Sequence, residues 1–317
     1  MSASEPSSAP PHAPVSSPPQ GPAGPADVIL AMIQALRPKQ WAKNVFVFAA
    51  ILFSMNFGRT EMWVKVLAAF ATFSLFSSAG YIFNDASDVE ADRKHPTKRK
   101  RPIASGRLPL PLAYAEMVVL LVAGAALGWW VSPWLVLIAC LYLTTTLSYS
   151  FYFKHIVILD VMFISAGFLW RAAAGAVAID VAISPWLMTC TAFVSLFFGF
   201  NKRRGELTLM EEQARTTRKI LSEYSRDLVV EFQAVTTSGT IISYALYCVQ
   251  GSPTPWLLLT LPIVVYCVLR YMYLVSARNE GGAPDETLFK DLPILVAGAL
   301  YGLTVVAVLV LAPHKAV

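Results

Sequence analysis

Asn84-Asp85-Ala86-Ser87-Asp88-Val89-Glu90-Ala91-Asp92 closes a long apolar stretch and opens a basic one, Arg93 to Arg107. The apolar side of this junction, 62–84, is long enough to cross about 30 Å of hydrocarbon as a helix. On a continuous helix Asp85, Asp88 and Asp92 fall at i, i+3 and i+7, so three carboxylates share one face just where the span leaves the bilayer. Hard divalent cations take oxygen ligands. Mg2+ usually accepts one or two carboxylates, keeps some water and completes its shell from substrate phosphates. The three acids are therefore candidate Mg2+ ligands and catalytic residues. A solvated acidic helix end would explain them by themselves, and the next residues favour the site.

Arg93, Lys94, Lys98, Arg99, Lys100, Arg101 and Arg107 follow directly on the carboxylates. A metal beside clustered cations suits a polyphosphate, because together they neutralise the charge that develops on a departing diphosphate. Arg93, Lys98 and Arg101 are the candidate contacts. Basic residues also gather in cytoplasmic loops for topological reasons, and one loop can serve both ends.

Hydrophobic residues make up 56% of the chain and charged residues 14%, with a mean hydropathy of +0.55, which excludes an ordinary soluble domain. The fold expected is all-α and polytopic. Apolar runs near 40–57, 62–84, 110–131, 133–150, 156–178, 184–200, 230–250, 254–276 and 291–312 predict nine transmembrane helices. Lys and Arg concentrate in 92–108, 151–155, 201–229 and 277–290, which the positive-inside rule makes cytoplasmic. The expectation is an inner (plasma) membrane protein with its N-terminus inside, its C-terminus outside and its active-site mouth on the cytoplasmic side. The net charge of +5 then reflects loops facing the lipid bilayer and anionic substrate rather than nucleic acid. Similar lipid-facing surfaces leave room for a homo-oligomer.

Residues 1–26, rich in Pro, Ala and Ser and without an apolar core or cleavage pattern, are expected to be a disordered tail; 27–317 form the transmembrane domain. Cys140, Cys190, Cys248 and Cys267 lie in apolar spans without metal-site or disulfide spacing and read as small core residues.

Three further clusters fall on the basic side. Arg37-Pro38-Lys39-Gln40-Trp41-Ala42-Lys43-Asn44 precedes the first span; an interfacial anchor and a substrate role both account for it, with Lys43 and Asn44 the better substrate-binding candidates. Tyr149 and Lys154 lead into a span in which Asp160 follows within about two turns, an acid that is costly there unless paired or functional. Lys154 is expected on phosphate and Tyr149 on a substrate hydroxyl. Arg171, about three turns deeper, reads as a structural hydrogen-bonding residue. Asn201-Lys202-Arg203-Arg204-Gly205-Glu206 closes the sixth span, with Lys202, Arg203 and Glu206 on one face at the bundle mouth; with Arg204 and Asp160 they are substrate-binding candidates for a second anionic group, while the later part, 207–221, reads as an amphipathic surface helix.

The motif N-D-x-x-D-x-x-x-D at Asn84 to Asp92, then Arg101-Pro102-Ile103-Ala104-Ser105-Gly106, resembles the UbiA superfamily of intramembrane prenyltransferases over most of 37–312. The resemblance adds Asn84 to the substrate-binding set. Members that use prenyl diphosphates carry a second Asp-rich motif after the sixth span, where this chain has Lys202, Arg203 and Arg204. That departure most resembles the decaprenyl-phosphate phosphoribosyltransferase branch. The resemblance implies that 5-phosphoribosyl diphosphate (phosphoribosyl diphosphate) donates ribose 5-phosphate to a polyprenyl phosphate, with Mg2+ as cofactor, for cell-wall arabinan precursors. A prenyltransferase joining a prenyl diphosphate to an aromatic or haem acceptor also accounts for the first motif but not for the missing second one. A transporter would place its charges near mid-membrane, whereas these clusters gather at one face.

Overall fold

The computed structural model describes residues 24–53, 58–213, 219–277, 287 and 290–312. Among them every regular element is helical. Apart from five short 3-10 or π turns, in chain order these are α1 Pro25–Ala35, a 3-10 helix Pro38–Phe48, α2 Ala49–Phe53, α3 Thr60–Ser87, α4 Val89–Lys94, α5 Leu110–Val131 and α6 Pro133–Phe151. They continue with α7 Leu159–Ala178, α8 Pro185–Gln213, α9 Arg226–Leu246, α10 Leu261–Ala277 and α11 Leu292–Leu311.

Small residues let the helices approach closely, which is how association is achieved where lipid offers no hydrophobic drive. In α3, Ser74, Ser77, Ser78, Ala79 and Gly80 are buried, and α3 packs on α5, whose Gly124 and Gly128 face Phe76 and Thr72. α8 packs on α9, where a Cβ at Gly239 would collide with the Phe193 ring. One apolar core gathers α3, α6, α7 and the 3-10 segment, others gather α8 to α11, and contacts between α7 and α8 join the two groups. Helix starts follow local chemistry: Ser132 accepts from the Trp134 amide ahead of Pro133, Ser225 from Leu228, and Asp291 from Ile294.

Six stretches are long and apolar enough to cross a membrane: Thr60–Ser87, Leu110–Val131, Pro133–Phe151, Leu159–Ala178, Pro255–Ala277 and Leu292–Leu311. The expected first span is not one α-helix. It runs as the 3-10 helix Pro38–Phe48 and then the short α2, because side chains along it bond to α3 and α7, as described below. The sixth and seventh expected spans belong to α8 and α9, which carry more polar residues and fall outside the six. α8 also runs unbroken to Gln213, so 207–213 continues a long helix rather than starting a surface one; residues 214–218 lie outside the described set. The expected tail lies outside it too, except that α1 begins at Pro25, with Pro at its N-terminus and Asp27 in its first turn. Of the cysteines, Cys248 is buried but Cys140 faces outward, and all four are free thiols.

Candidate active site

α3 ends at Ser87 and α4 starts at Val89, because Asp88, at φ −94° and ψ 9°, leaves helical geometry between them. The break alters the expected row of three acids. Asp85 and Asp92 stay together and are buried, while Asp88 turns to Asn84, whose Nδ2 donates to its Oδ2 at 3.3 Å. Arg101 Nη1 lies between the buried pair, 2.9 Å from Asp85 Oδ1 and 2.7 Å from Asp92 Oδ2. Lys98 Nζ stands 3.8 Å from Asp92. Arg93 points elsewhere, donating through Nε to the Ala104 carbonyl at 3.3 Å and pairing with Glu90.

Arg37 completes this cluster. Its Nη2 contacts both Asp85 oxygens, at 2.6 and 2.7 Å, and its guanidinium lies 5.0 Å from the centre of the Tyr81 ring. The residue sits at φ 52° and ψ 59°, a left-handed conformation that costs a non-glycine residue roughly 1–2 kcal/mol. The sequence left Arg37 between an interfacial anchor and a substrate contact and favoured Lys43 and Asn44 for the latter. The signal available was its place before Pro38, where the chain turns from α1 into the next segment. Lys43 is exposed, whereas Asn44 is fully buried, bonded to Ser74 and Arg171 rather than turned to the acids.

A second cluster forms where α7 begins. Asp160 and Arg203 are 1% and 2% exposed at the side chain, with Arg203 Nε 2.9 Å from Asp160 Oδ2 as an ion pair off hydrogen-bond alignment. Arg203 Nη1 also donates to Glu206. Burial works against the charge on Arg203, but Glu206 and Asp160 outweigh it and raise its pKa; Tyr149 adds to this through its own electrostatic effect. The Tyr224 hydroxyl donates to Asp160 Oδ1 at 2.6 Å and accepts from the Ile158 amide at 2.8 Å. Burial and the bond to Asp160 push the Tyr224 pKa well above the usual phenol range. Ile158 is held at φ 71°, outside the ordinary range for a β-branched residue.

Arg204 donates to Gln233 Oε1 at 2.8 Å, and Gln233 Nε2 donates to Asn201 at 2.7 Å. Among the described residues, Lys154 and Lys202 are half-buried and have no hydrogen-bond or ion-pair partner. Tyr224 and Gln233 were not expected at the site, since no spacing rule joins them to Asp160 or Asn201 in the chain. The two clusters share one end of the bundle: Phe83 of α3 meets Phe151 of α6 edge-on at 5.8 Å, and Phe153 stacks on Phe163 of α7 at 3.8 Å.

The acids fit a divalent cation. Among the described residues no three acids, His or Cys converge, but Asp85 and Asp92 already direct one oxygen each at a single cationic nitrogen. Two carboxylates are within the one or two that Mg2+ ordinarily takes from protein. Toward the other end lies an apolar cavity of about 340 Å³ between α8, α9, α10 and α11, lined by Leu187, Phe198, Val264, Tyr271, Gly298 and Tyr301 and bordered by Phe46 and Ala49.

Helices long and apolar enough to cross a membrane, with buried acids and cations gathered at one end and an apolar cavity among them, define the class as a multi-pass membrane protein. The chain belongs to the UbiA prenyltransferase family, which it matches over residues 44–290. It is 37% identical over 273 residues to the decaprenyl-phosphate phosphoribosyltransferase of Mycobacterium tuberculosis, covering 84% of this chain and 90% of that protein. With the Corynebacterium glutamicum protein of the same name it is 37% identical over 278 residues, 84% of this chain and 83% of the other. A UbiA homolog from Archaeoglobus fulgidus, solved bound to GPP and Mg2+, superposes with a TM-score of 0.66 at 16% identity, over 89% of this chain and all of that one. That likeness is one of fold.

Proposed function

We propose that the protein transfers ribose 5-phosphate from phosphoribosyl diphosphate to a polyprenyl phosphate such as decaprenyl phosphate, releasing diphosphate. The single observation that carries this reading is the identity of 35–37%, spread over 84% of the chain, with curated decaprenyl-phosphate phosphoribosyltransferases. The basic Lys202-Arg203-Arg204 stretch, standing where the family resemblance puts the second Asp-rich motif of members that use prenyl diphosphates, supports it.

Asp85 and Asp92, with Asp88 beside them, would hold Mg2+. When bound, that ion would supply positive charge against the donor's diphosphate. Arg37, Lys98 and Arg101 already lie against these acids and stabilise the diphosphate as the C1–O bond breaks and C1 gains oxocarbenium character. A phosphate oxygen of the lipid forms the new bond to C1 from the opposite face, so the configuration there inverts. A phosphate monoester has its second pKa near 6 and is mostly dianionic at neutral pH, so no general base is required. Lys154 and Lys202, uncommitted within the protein, receive the lipid phosphate. Arg203 holds Lys202 and the start of α7 in place through Asp160 rather than touching substrate itself. The reading includes nine membrane crossings, an inner-membrane location and the site on the cytoplasmic side.

Purified protein given radiolabelled phosphoribosyl diphosphate and polyprenyl phosphate should form a labelled lipid, and excess EDTA should stop it. Product instead from a prenyl diphosphate and hydroxybenzoate, with none from the phosphoribosyl pair, would overturn the assignment.

A further inference from the structure

Arg171 is 5% exposed within α7, and among the described residues no acid lies within ion-pair reach of it. A cation inside a membrane helix is costly enough to mark a function by default. Its donors go to neutral acceptors. Nη1 bonds the Gly167 carbonyl at 2.8 Å, Nη2 the Tyr142 hydroxyl at 2.9 Å, and the guanidinium lies 4.6 Å from the Tyr142 ring centre. The remaining bond leaves α7 and α6 altogether: Nε donates to Asn44 Oδ1 at 2.7 Å, on the 3-10 segment Pro38–Phe48.

From Asn44 a ladder runs along α3 to the acids. Asn44 Nδ2 donates to Ser74 at 3.1 Å, Trp41 Nε1 donates to Ser78 at 3.1 Å, and Ser78 donates to the Leu36 carbonyl at 2.8 Å. The next rung is Arg37 on Asp85. One turn beyond Arg171, the Val47 carbonyl comes so near Gly175 that any Cβ there would collide with it. α7 therefore grips the 3-10 segment at two successive turns, and a planar guanidinium fork fixes the direction of the grip better than a point charge would.

We propose that Arg171 is a positioning residue: through Asn44 it sets the height of segment 38–48 along α3 and so seats Arg37 on Asp85. This rests on the proposed function only in taking Asp85 to serve a diphosphate. Inorganic pyrophosphate with Mg2+, the fragment common to phosphoribosyl and prenyl donors, is therefore the probe, titrated calorimetrically into the full chain in detergent.

Arg37→Gln and Arg171→Gln should each weaken binding about 10- to 100-fold, as loss of supporting contacts around a site typically does. The double variant should be no weaker than Arg37→Gln by more than about twofold, because the two act on one contact. Arg171→Gln combined with Lys202→Ala should instead bind pyrophosphate as Arg171→Gln alone does, because Lys202 serves the lipid phosphate. Asn44→Ala, which leaves the cation in place, should mimic Arg171→Gln and guards against a variant that fails to fold. Unchanged binding in Arg171→Gln, or a loss that adds in full to that of Arg37→Gln, would overturn the inference. Absence of binding by the unaltered protein would overturn the proposed function and this inference with it.

Discussion

Arg203 and Lys202 are neighbours in sequence and opposites in setting. Arg203 is held by Asp160 and Glu206 with its side chain 2% exposed, whereas Lys202 is half-buried with no hydrogen-bond or ion-pair partner among the described residues. Breaking a buried pair by removing one member costs about 3–5 kcal/mol, since the other charge stays buried. Asp160→Asn should therefore lower the melting temperature of the detergent-purified protein strongly. Lys202→Ala should change stability by no more than about 0.5 kcal/mol while raising KM for the lipid phosphate. A comparable melting shift in both would contradict this division of roles. The sequence made the basic stretch visible as a unit, but not which member was already engaged, because the partner acid lies 43 positions earlier on another helix. Arg37 was obscured for the same reason: its place before Pro38 marks a turn, but its partner Asp85 lies 48 residues away on α3.

The 3-10 segment Pro38–Phe48 is the element that tertiary contacts reshaped most. Hydropathy alone made 40–57 a spanning helix. Asn44 and Trp41 instead bond sideways to α3, and Gly175 admits the Val47 carbonyl against α7. Gly175→Val should force the segment away from α7 at a cost of about 1–3 kcal/mol, the usual range for overpacking. Chemical unfolding followed by tryptophan fluorescence measures it, and an unchanged midpoint would refute the close approach. The long runs behind α3, α5, α6, α7 and α11 were legible because apolar length is a strong signal. The break at Asp88 was not, since the residues around it carry no Pro or Gly to mark a helix end.

Across the whole molecule, the charged clusters and the most exposed tryptophans lie at different ends. The acid and cation clusters lie at the end where α3 and α6 finish, while Trp129, Trp130 and Trp134, each at least 65% exposed, lie where α5 meets α6 at the other. Tryptophan favours membrane–water boundaries and basic loops favour the cytoplasm. Cysteine placed at Lys100 in a variant lacking the four native thiols should react with a membrane-impermeant maleimide only in inverted vesicles. The same substitution at Ser132 should react only in right-side-out cells, and the reverse pattern would invert the assigned orientation.

The apolar cavity behind the site, about 340 Å³, stands near the lower bound of spaces that enclose a drug-sized molecule, roughly 300–1,000 Å³. A fifty-carbon isoprenoid is far larger, so most of such a tail would have to remain among the acyl chains throughout turnover. Acceptors of seven and ten isoprene units should consequently be used at closely similar kcat/KM, and trimming should begin to matter only when the chain is cut to the few units nearest the headgroup.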